Sequence, residues 1–438
     1  MHDQNHRRAG LGQWTATSLV VGSMIGSGVF LLPATLAPYG AASLLGWGVT
    51  LVGALLLALV YSWLARAAQQ QGGAYAFARA AFGEHTGFLV AWSYWICMWC
   101  GNAALSVAFA GSLGVLWPEC TATPTRGALT ALVGLWLCTG VSLAGIQQAG
   151  RLQLLTTLLK VVPLVVFCGF GLGYVQASSY VPFNVSGLPL LSVTSTVSAI
   201  TLWAFLGLEA ATIPAQCIRD PERTVPRATV IGMLIAGIAT MLACTVVIGL
   251  LPADELQRSV TPMADAAQRC WGPAAALGIG VVATISCFGA LNGWVLLQAQ
   301  VPMAAARDGV FPRFFARANG RGAPWLGLLL SSTLATMLVI ANFSDSLVQL
   351  FRFSTLLSTA AALLPYAVST AAWLYGSRQQ GLGKQCIAVG ALLYSLWALV
   401  GTGGESLAWG AGLLLAGLPL HLWQRRGQGV TRRRPRGE

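Results

Sequence analysis

The stretch Gly22–Pro33, which reads GSMIGSGVFLLP, decides the fold. It lies inside a long apolar segment, yet three glycines and two serines fall within its first seven residues. In lipid every backbone polar group must be bonded internally, so an unwound helix is tolerated only where it is buried in protein or lines a cavity. Close helix packing is the alternative use of such glycines. We predict that the first membrane helix is broken here, beside an internal site.

A second interruption follows in the sixth apolar segment. The stretch Thr201–Ala210 reads TLWAFLGLEA, with Gly207 two residues before Glu209. The first and sixth segments occupy corresponding places if the chain is two five-helix repeats followed by two extra helices. Broken helices in corresponding places indicate an inverted-repeat transporter whose substrate binds near the bilayer midplane.

Composition places the whole chain in lipid. Of its 438 residues 56% are hydrophobic and only 9% are charged, whereas soluble domains carry about 25% charged residues. A membrane helix needs about 20 mostly apolar residues. We predict twelve such segments: Trp14–Leu36, Ala42–Leu64, Gly87–Val115, Leu129–Leu143, Leu152–Leu172, Leu190–Cys217, Val230–Leu251, Ala274–Arg307, Trp325–Ala341, Leu347–Leu374, Cys386–Leu399 and Ser406–Trp423.

The net charge of +12 is explained by membrane topology rather than by nucleic acid. Basic residues concentrate in alternate connections, and by the positive-inside rule this asymmetry predicts that both termini are cytoplasmic. The basic C-terminal tail can also contact anionic lipid. The connections predicted to be cytoplasmic carry Arg7, Arg8, Arg66, Arg79, Arg151, Arg219, Arg223, Arg227, Arg307, Arg313, Arg317, Arg321, Arg378, Lys384 and the tail from Arg425 to Arg436, whereas the opposite ones carry Arg126, Arg258 and Arg269.

No catalytic or metal-binding pattern stands out. The sequence shows no mid-membrane histidine, no metal cluster and no nucleophile beside a base, so we expect neither an enzyme nor a metal or cofactor. Cys97 and Cys100 form a CMWC within an apolar helix, where packing is favoured over a redox or metal pair. A receptor or scaffold is disfavoured because the chain has no sizeable soluble domain.

Glu209 is the one acidic residue that falls inside a predicted segment. A carboxylate in hydrocarbon is costly, so it normally faces an interior cavity and marks an ion pathway, a proton site or a substrate counter-charge. The alternative is a structural partner for Lys160 or Arg352. Trp203, Tyr94 and Trp294 add aromatic faces, which attract desolvated cations and would suit an organic cation.

Several motifs together resemble the basic amino acid/polyamine antiporters of the amino acid–polyamine–organocation superfamily. The likeness is closest to its bacterial arginine/agmatine antiporters, with the lysine/cadaverine exchangers next, and it runs from Thr15 to about Trp423. The motifs are GSGVFLLP at Gly26–Pro33, GGAYAFAR at Gly72–Arg79, CGN at Cys100–Asn102, LWAFLGLEA at Leu202–Ala210, RDPERTVPRAT at Arg219–Thr229 and LPY at Leu364–Tyr366.

The resemblance implies an all-α membrane protein with twelve helices. Ten of them would form a LeuT-like 5+5 inverted repeat, and the other two would be extra helices. The repeats would cover about 13–172 and 190–374, and the extra helices 386–423, all within a transporter domain at 13–423. Cytoplasmic tails would occupy 1–12 and 424–438. It further implies a homodimer in the bacterial inner membrane that exchanges an external basic amino acid for its internal decarboxylation product, a reaction associated with acid resistance.

The resemblance also implies roles for individual residues. Ser27 and Gly28, with the Met24 backbone, would hold the amino and carboxyl end of the substrate. Trp203 would close over the substrate, Trp294 would stack on the guanidinium, and Asn102 and Ser358 would hydrogen-bond the chain and head group. The implied substrate-binding residues are Ser23, Met24, Ser27, Gly28, Cys97, Met98, Asn102, Trp203, Leu206, Trp294 and Ser358, and the implied gating or pH-sensing residues are Tyr75, Tyr94, Glu209 and Tyr366.

Departures from the pattern concentrate in the head-group pocket. Ser23 stands where the arginine exchangers have asparagine, Cys97 where they have alanine, Met98 where they have cysteine, and Leu105 where they have methionine. Exchange of lysine for cadaverine or of ornithine for putrescine therefore stays open beside arginine and agmatine. So does a proton-coupled uptake or efflux carrier in which Glu209 carries the proton.

Overall fold

The computed structural model describes residues 12–67, 73–212, 218–341, 347–376 and 381–432, with side chains left out at 67, 146–155, 158 and 423–432. Within these ranges the protein is almost entirely helical. The α-helices are α1 Gln13–Met24, α2 Ser27–Leu36, α3 Ser43–Ala67, α4 Ala74–Phe82, α5 Glu84–Leu116, α6 Pro124–Leu143, α7 Ile146–Gly171, α8 Leu190–Leu202, α9 Pro221–Leu250, α10 Ala253–Arg258, α11 Pro262–Trp271, α12 Pro273–Arg307, α13 Trp325–Ala341, α14 Leu347–Gly376, α15 Leu382–Gly401 and α16 Gly404–Arg432.

Seven helical stretches in the described ranges are long and apolar enough to cross a membrane, and the first, Gln13–Arg66, runs through α1, α2 and α3. Three shorter apolar helices accompany them. The remaining six long stretches are Glu84–Leu116, Pro124–Leu143, Pro221–Leu250, Pro273–Arg307, Leu347–Gly376 and Leu382–Gly401, and the shorter ones are Leu159–Tyr174, Leu190–Phe205 and Trp325–Ala341.

The predicted segments fall on helices, and the differences lie at the ends. The fourth predicted segment, which is helix α6, starts at Pro124 rather than at Leu129. The Thr123 hydroxyl accepts a hydrogen bond from the Arg126 amide at 3.2 Å, and proline suits the first helical turn. The last helix continues to Arg432, beyond the predicted end at Trp423, so the proposed tail begins within it. Residues 1–11 of the proposed N-terminal tail, 213–217 of the sixth segment and 433–438 lie outside the described residues.

Helix α5 runs through the centre of the bundle and packs along α12 and α14. Its direction is opposite to that of α12, because side chains at the two ends of α5 meet opposite ends of α12. Near the start of α5, Gly87 packs against Arg79, which pairs with Asp308 just after α12. Near its end, Val115 packs against Gly280 in the first part of α12. This central pair forms one wall beside both predicted breaks.

Candidate functional site

The first segment is broken where the sequence predicted. Helix α1 ends at Met24, Ile25 is extended with φ −77° and ψ 99°, and α2 begins at Ser27. Gly26 links the two pieces, and a Cβ atom there would lie 2.8 Å from the Cβ of Ala290 on α12. The break is therefore packed inside the protein, as lipid demands of irregular backbone.

The sixth segment is broken as well. Helix α8 ends at Leu202 and tightens into a 3-10 turn at Trp203–Phe205, and Leu206 is then extended at ψ 130°. Gly207 follows with φ +101°, a conformation that side chains disfavour. A Cβ on Gly207 would lie 2.9 Å from the Cβ of Ser23, so the two broken segments touch each other.

Lys160 of α7 stabilises the first break. Its fully buried ammonium donates hydrogen bonds to the carbonyl of Gly22, at 2.6 Å, and to that of Ile25. These carbonyls lack helical partners because the helix stops beside them. The alternative that Glu209 pairs with Lys160 or Arg352 is wrong: Lys160 binds the backbone, and Arg352 donates to the hydroxyl of Tyr39 at 3.2 Å.

Glu209 is held by two tyrosines. The hydroxyl of Tyr94 on α5 donates to its Oε1, and the hydroxyl of Tyr366 on α14 donates to its Oε2 at 2.8 Å. Tyr61 of α3 packs edge-on against Tyr366, with ring centroids 5.6 Å apart. Among the described residues Glu209 is the one buried acid, at 1% exposure. It thus ties the broken sixth segment to α5 and α14.

Two indoles lie against the facing breaks. The rings of Trp203 and Trp294 are 5.8 Å apart between centroids, at 35°. Trp203 donates from Nε1 to the hydroxyl of Ser27 at 3.2 Å, and Trp294 donates to the carbonyl of Ser23 at 3.3 Å. The ring of Trp203 also lies 3.5 Å from the Cβ position of Gly28. Each indole therefore contacts both the broken backbone and the other indole.

Small residues of α5 and α14 contact the six-membered end of the Trp203 indole, opposite the edge that faces Ser27 and Gly28. Gly101 faces the ring, whose Cη2 lies 3.1 Å from the Cβ position of the glycine, and Ser358 Oγ lies 3.2 Å from the same point. Ser358 donates to the carbonyl of Cys97 at 2.7 Å, so the Cys97 thiol, 3.3 Å away, donates back to Ser358. Both Cys97 and Cys100 are free thiols.

Asn102 of α5 makes a contact that the sequence analysis missed. Its Nδ2 donates to Oε1 of Gln298 on α12 at 2.8 Å, while its buried Oδ1 has no hydrogen-bond partner among the described residues. Gln298 lies one helical turn after Trp294, so a glutamine on the same apolar face was the available signal.

The structure thus brings together most of the predicted substrate residues, with Trp203 at their centre. Met24 and Leu206 are buried at the breaks, Met98 is buried on α5, and Ser23 is partly exposed. Tyr75 lies apart from them. Its hydroxyl donates to Asp308 at 3.0 Å, and Arg79 pairs with the same carboxylate at 2.9 Å. Burial, and then the charge of Asp308, raise the pKa of Tyr75. At 1.5 Å per residue, Asp308 lies about 20 Å along α12 from Trp294.

The predicted substrate residues pack against one another in this conformation. Cavities of about 570, 460 and 480 Å³ lie elsewhere, beside Tyr174, Phe167 and Tyr394 respectively, and none of the predicted substrate residues lines them. The contact between the two indoles occupies the centre of the site instead. A substrate of amino acid size would require these rings to separate.

Residues 11–413 match the family model described as amino acid permease. The chain belongs to the amino acid permease family. The permease is therefore a multi-pass membrane protein of a transporter family. The arginine/ornithine antiporter of Pseudomonas aeruginosa (strain PAO1) is 33% identical over 92% of this chain and 88% of its own. The putrescine transporter PotE of Escherichia coli (strain K12) is 29% identical over 96% and 97%, and the cadaverine/lysine antiporter of the same organism is 32% identical over 75% and 74%.

Proposed function

We propose that this permease is an antiporter that exchanges a basic amino acid for its decarboxylated amine by alternating access, with arginine and agmatine as the pair. The observation that carries the proposal is the pair of indoles, Trp203 and Trp294, held against two facing helix breaks. Arginine carries one net positive charge and agmatine two, so each cycle would export one charge. Decarboxylation of the imported arginine would consume a proton.

The broken first segment supplies groups for the amino acid end of the substrate. The amides at the start of α2, at Ser27 and Gly28, carry the positive end of a helix dipole and suit a carboxylate. The last carbonyls of α1, with that of Met24 nearest the break, suit an ammonium group. Substrate and indole would compete, because Trp203 already occupies the hydroxyl of Ser27.

The head group would enter between the two indoles. An indole face attracts a desolvated cation by about 2 kcal/mol, and a planar guanidinium can stack on it. Trp203 would move away from Trp294 and then cover the substrate. Asn102 and Ser358 would accept hydrogen bonds from the head group and chain, while Cys97, Met98 and Leu206 would shape the pocket.

The buried polar links would govern opening. Glu209 with Tyr94 and Tyr366 would couple the sixth segment to the bundle, and Tyr75 with Asp308 would close the end of α12. Separate breaks in the first and sixth segments support a 5+5 inverted repeat followed by two extra helices, twelve in all. The apolar helices and bacterial relatives support the inner membrane. Cytoplasmic termini and a homodimer complete the proposal.

A second candidate rests on the relatives and on the altered pocket. The relatives are named for arginine and ornithine, for putrescine, or for cadaverine and lysine, and of these substrates only arginine carries a guanidinium. Cys97 and Met98 depart from the arginine exchangers at the head-group pocket. Arginine/ornithine, ornithine/putrescine or lysine/cadaverine exchange is therefore the main rival, and proton-coupled transport through Glu209 is the other.

Exchange in reconstituted vesicles separates these functions. Vesicles would be loaded with agmatine, ornithine, putrescine or cadaverine, or left empty under a proton gradient, and uptake of labelled arginine and lysine measured. We expect arginine uptake to require an internal amine or basic amino acid, with agmatine most effective. Equal uptake into empty vesicles would overturn exchange, and an equal or faster rate with ornithine would transfer the assignment to that pair.

A further inference from the structure

A chain of buried side-chain hydrogen bonds runs from α6 to Asn102 beside the candidate site. Thr139 of α6 lies 2.8 Å from Ser332 of α13, Gln298 Nε2 donates to Ser332 at 3.0 Å, and Asn102 Nδ2 donates to Gln298 Oε1 at 2.8 Å. All four side chains are fully buried. We call these four residues the amide relay.

The direction of the amide relay is determined at its far end. Thr139 donates its only hydroxyl hydrogen to the carbonyl of Leu135, at 2.8 Å, and a carbonyl can only accept. With that bond made, Ser332 donates to Thr139, and the Ser332 oxygen serves as an acceptor. Reversing the Gln298 amide would leave two hydroxyl oxygens facing each other at 2.8 Å with no hydrogen between them.

This direction passes through both amides. Because Ser332 accepts, Gln298 must turn its NH₂ toward Ser332 and its carbonyl oxygen toward Asn102. Asn102 must in turn present its NH₂ to Gln298, so that its carbonyl oxygen, Oδ1, is the free end. A buried oxygen without a partner is costly unless a ligand satisfies it.

The free end lies beside the broken first segment. Leu105, one helical turn after Asn102, contacts the Cβ position of Gly26 at 3.4 Å, and Trp294, one turn before Gln298, donates to the carbonyl of Ser23. The oxygen of Asn102 therefore stands at the level of the two indoles. An acceptor there suits the N–H groups of a cationic head group and disfavours a carbonyl or carboxylate.

We propose that Gln298 and Ser332 are specificity-determining positioning residues, which hold the Asn102 amide so that its oxygen accepts a hydrogen bond from the cationic head group of the substrate. This inference rests on the proposed transport function and on the assignment of Asn102 to the head group. It favours a head group with N–H donors without placing a carboxylate in the pocket. Without the relay, the amide could turn and donate from its NH₂ instead.

The test compares arginine with citrulline, which has the same shape but a neutral ureido group whose oxygen replaces a guanidinium nitrogen. Binding would be measured by calorimetry on wild type, Gln298→Leu, Ser332→Ala and the control Ser331→Ala. Ser331 is equally buried on α13, but it bonds Trp95 and the Gly327 carbonyl and stands outside the amide relay. We expect Gln298→Leu to reduce the arginine preference about tenfold, and Ser332→Ala to reduce it about threefold. Ser331→Ala should keep it.

The outcomes separate the two proposals. A wild-type protein that binds neither arginine nor agmatine would overturn the proposed function. Wild-type binding with the same arginine-to-citrulline ratio in Gln298→Leu and Ser332→Ala would overturn the amide relay alone. If Gln298→Leu does not fold, judged by size-exclusion chromatography, the milder Ser332→Ala decides. A uniform loss of affinity for both ligands would also contradict the proposal, because it would show a merely structural role.

Discussion

The ammonium nitrogen of Lys160 lies 2.6 Å from the carbonyl oxygen of Gly22, where the first helix ends inside the protein. A helix that stops in lipid leaves carbonyl groups without partners, and this lysine supplies donors from a neighbouring helix. The break that forms the candidate site therefore depends on a charged residue that is not itself among the proposed substrate contacts.

Replacing this lysine should destabilise the fold. In Lys160→Met the carbonyls of Gly22 and Ile25 lose their side-chain donor, and a buried unpaired group costs about 1–3 kcal/mol. We expect a lower thermal midpoint in detergent, while the control Lys384→Met, on an exposed lysine 5.8 Å from the centre of the Trp63 ring, should lower it less. An unaltered midpoint in Lys160→Met would show that water or a rearranged backbone can satisfy these carbonyls.

Adding a single methyl group at the second break should also destabilise the fold. Gly207→Ala would place a Cβ 2.9 Å from that of Ser23 at φ +101°. Strained backbone of this kind costs about 1–3 kcal/mol, so unfolding should occur at a lower temperature. Gly410→Ala is the control, because its Cβ position meets no atom within 4 Å. Equal stability of the two variants would mean that the breaks separate without penalty.

The indole of Trp294 should contribute to substrate binding. Trp294→Ala is expected to weaken arginine by about 1–2 kcal/mol, because the cation–π contact is lost. Trp409→Ala, at a 58% exposed tryptophan of α16, serves as the control for removing an indole. Calorimetric titration with arginine gives both values. Unchanged affinity in Trp294→Ala would remove this ring from the site.

Glu209 should affect the rate of exchange more than the affinity. In Glu209→Gln one oxygen becomes an NH₂ group, so only one of Tyr94 and Tyr366 can still donate to the side chain. A charge-assisted hydrogen bond is roughly twice as strong as a neutral one, and we expect about a tenfold slower exchange with less than about threefold change in arginine affinity. If affinity falls as far as the rate, Glu209 contacts the substrate itself.

Replacing Tyr75 should change the rate of opening but not the pH dependence of that rate. Burial raises the pKa of this phenol, so it keeps its proton and its bond to Asp308 at every pH below the ordinary tyrosine pKa of about 10. The stabilisation it gives is therefore present throughout that range and declines only as the pH rises above it. Tyr75→Phe should multiply the exchange rate by a constant factor from about pH 6 to about pH 9. A changed profile within that window would show that Tyr75 titrates there.

Much of the architecture followed from local sequence alone. Glycine and serine within Gly22–Pro33, and Gly207 before Glu209, predicted both broken helices because lipid permits irregular backbone only inside protein. Apolar length predicted where helices lie, and the ends differed by a few residues where caps such as Thr123 act. The cost of placing a carboxylate in hydrocarbon also predicted that Glu209 faces the protein interior.

Partners across the bundle were decided by tertiary structure. Lys160 and Glu209 carry opposite charges and both lie at membrane depth, so sequence permitted their pairing, yet they bond separate groups. The amide relay joins four helices through residues far apart in the chain, and no local pattern encodes such a path. Periodicity specifies which face of a helix is buried, whereas only packing specifies which neighbour that face meets and in which direction a hydrogen bond between them runs.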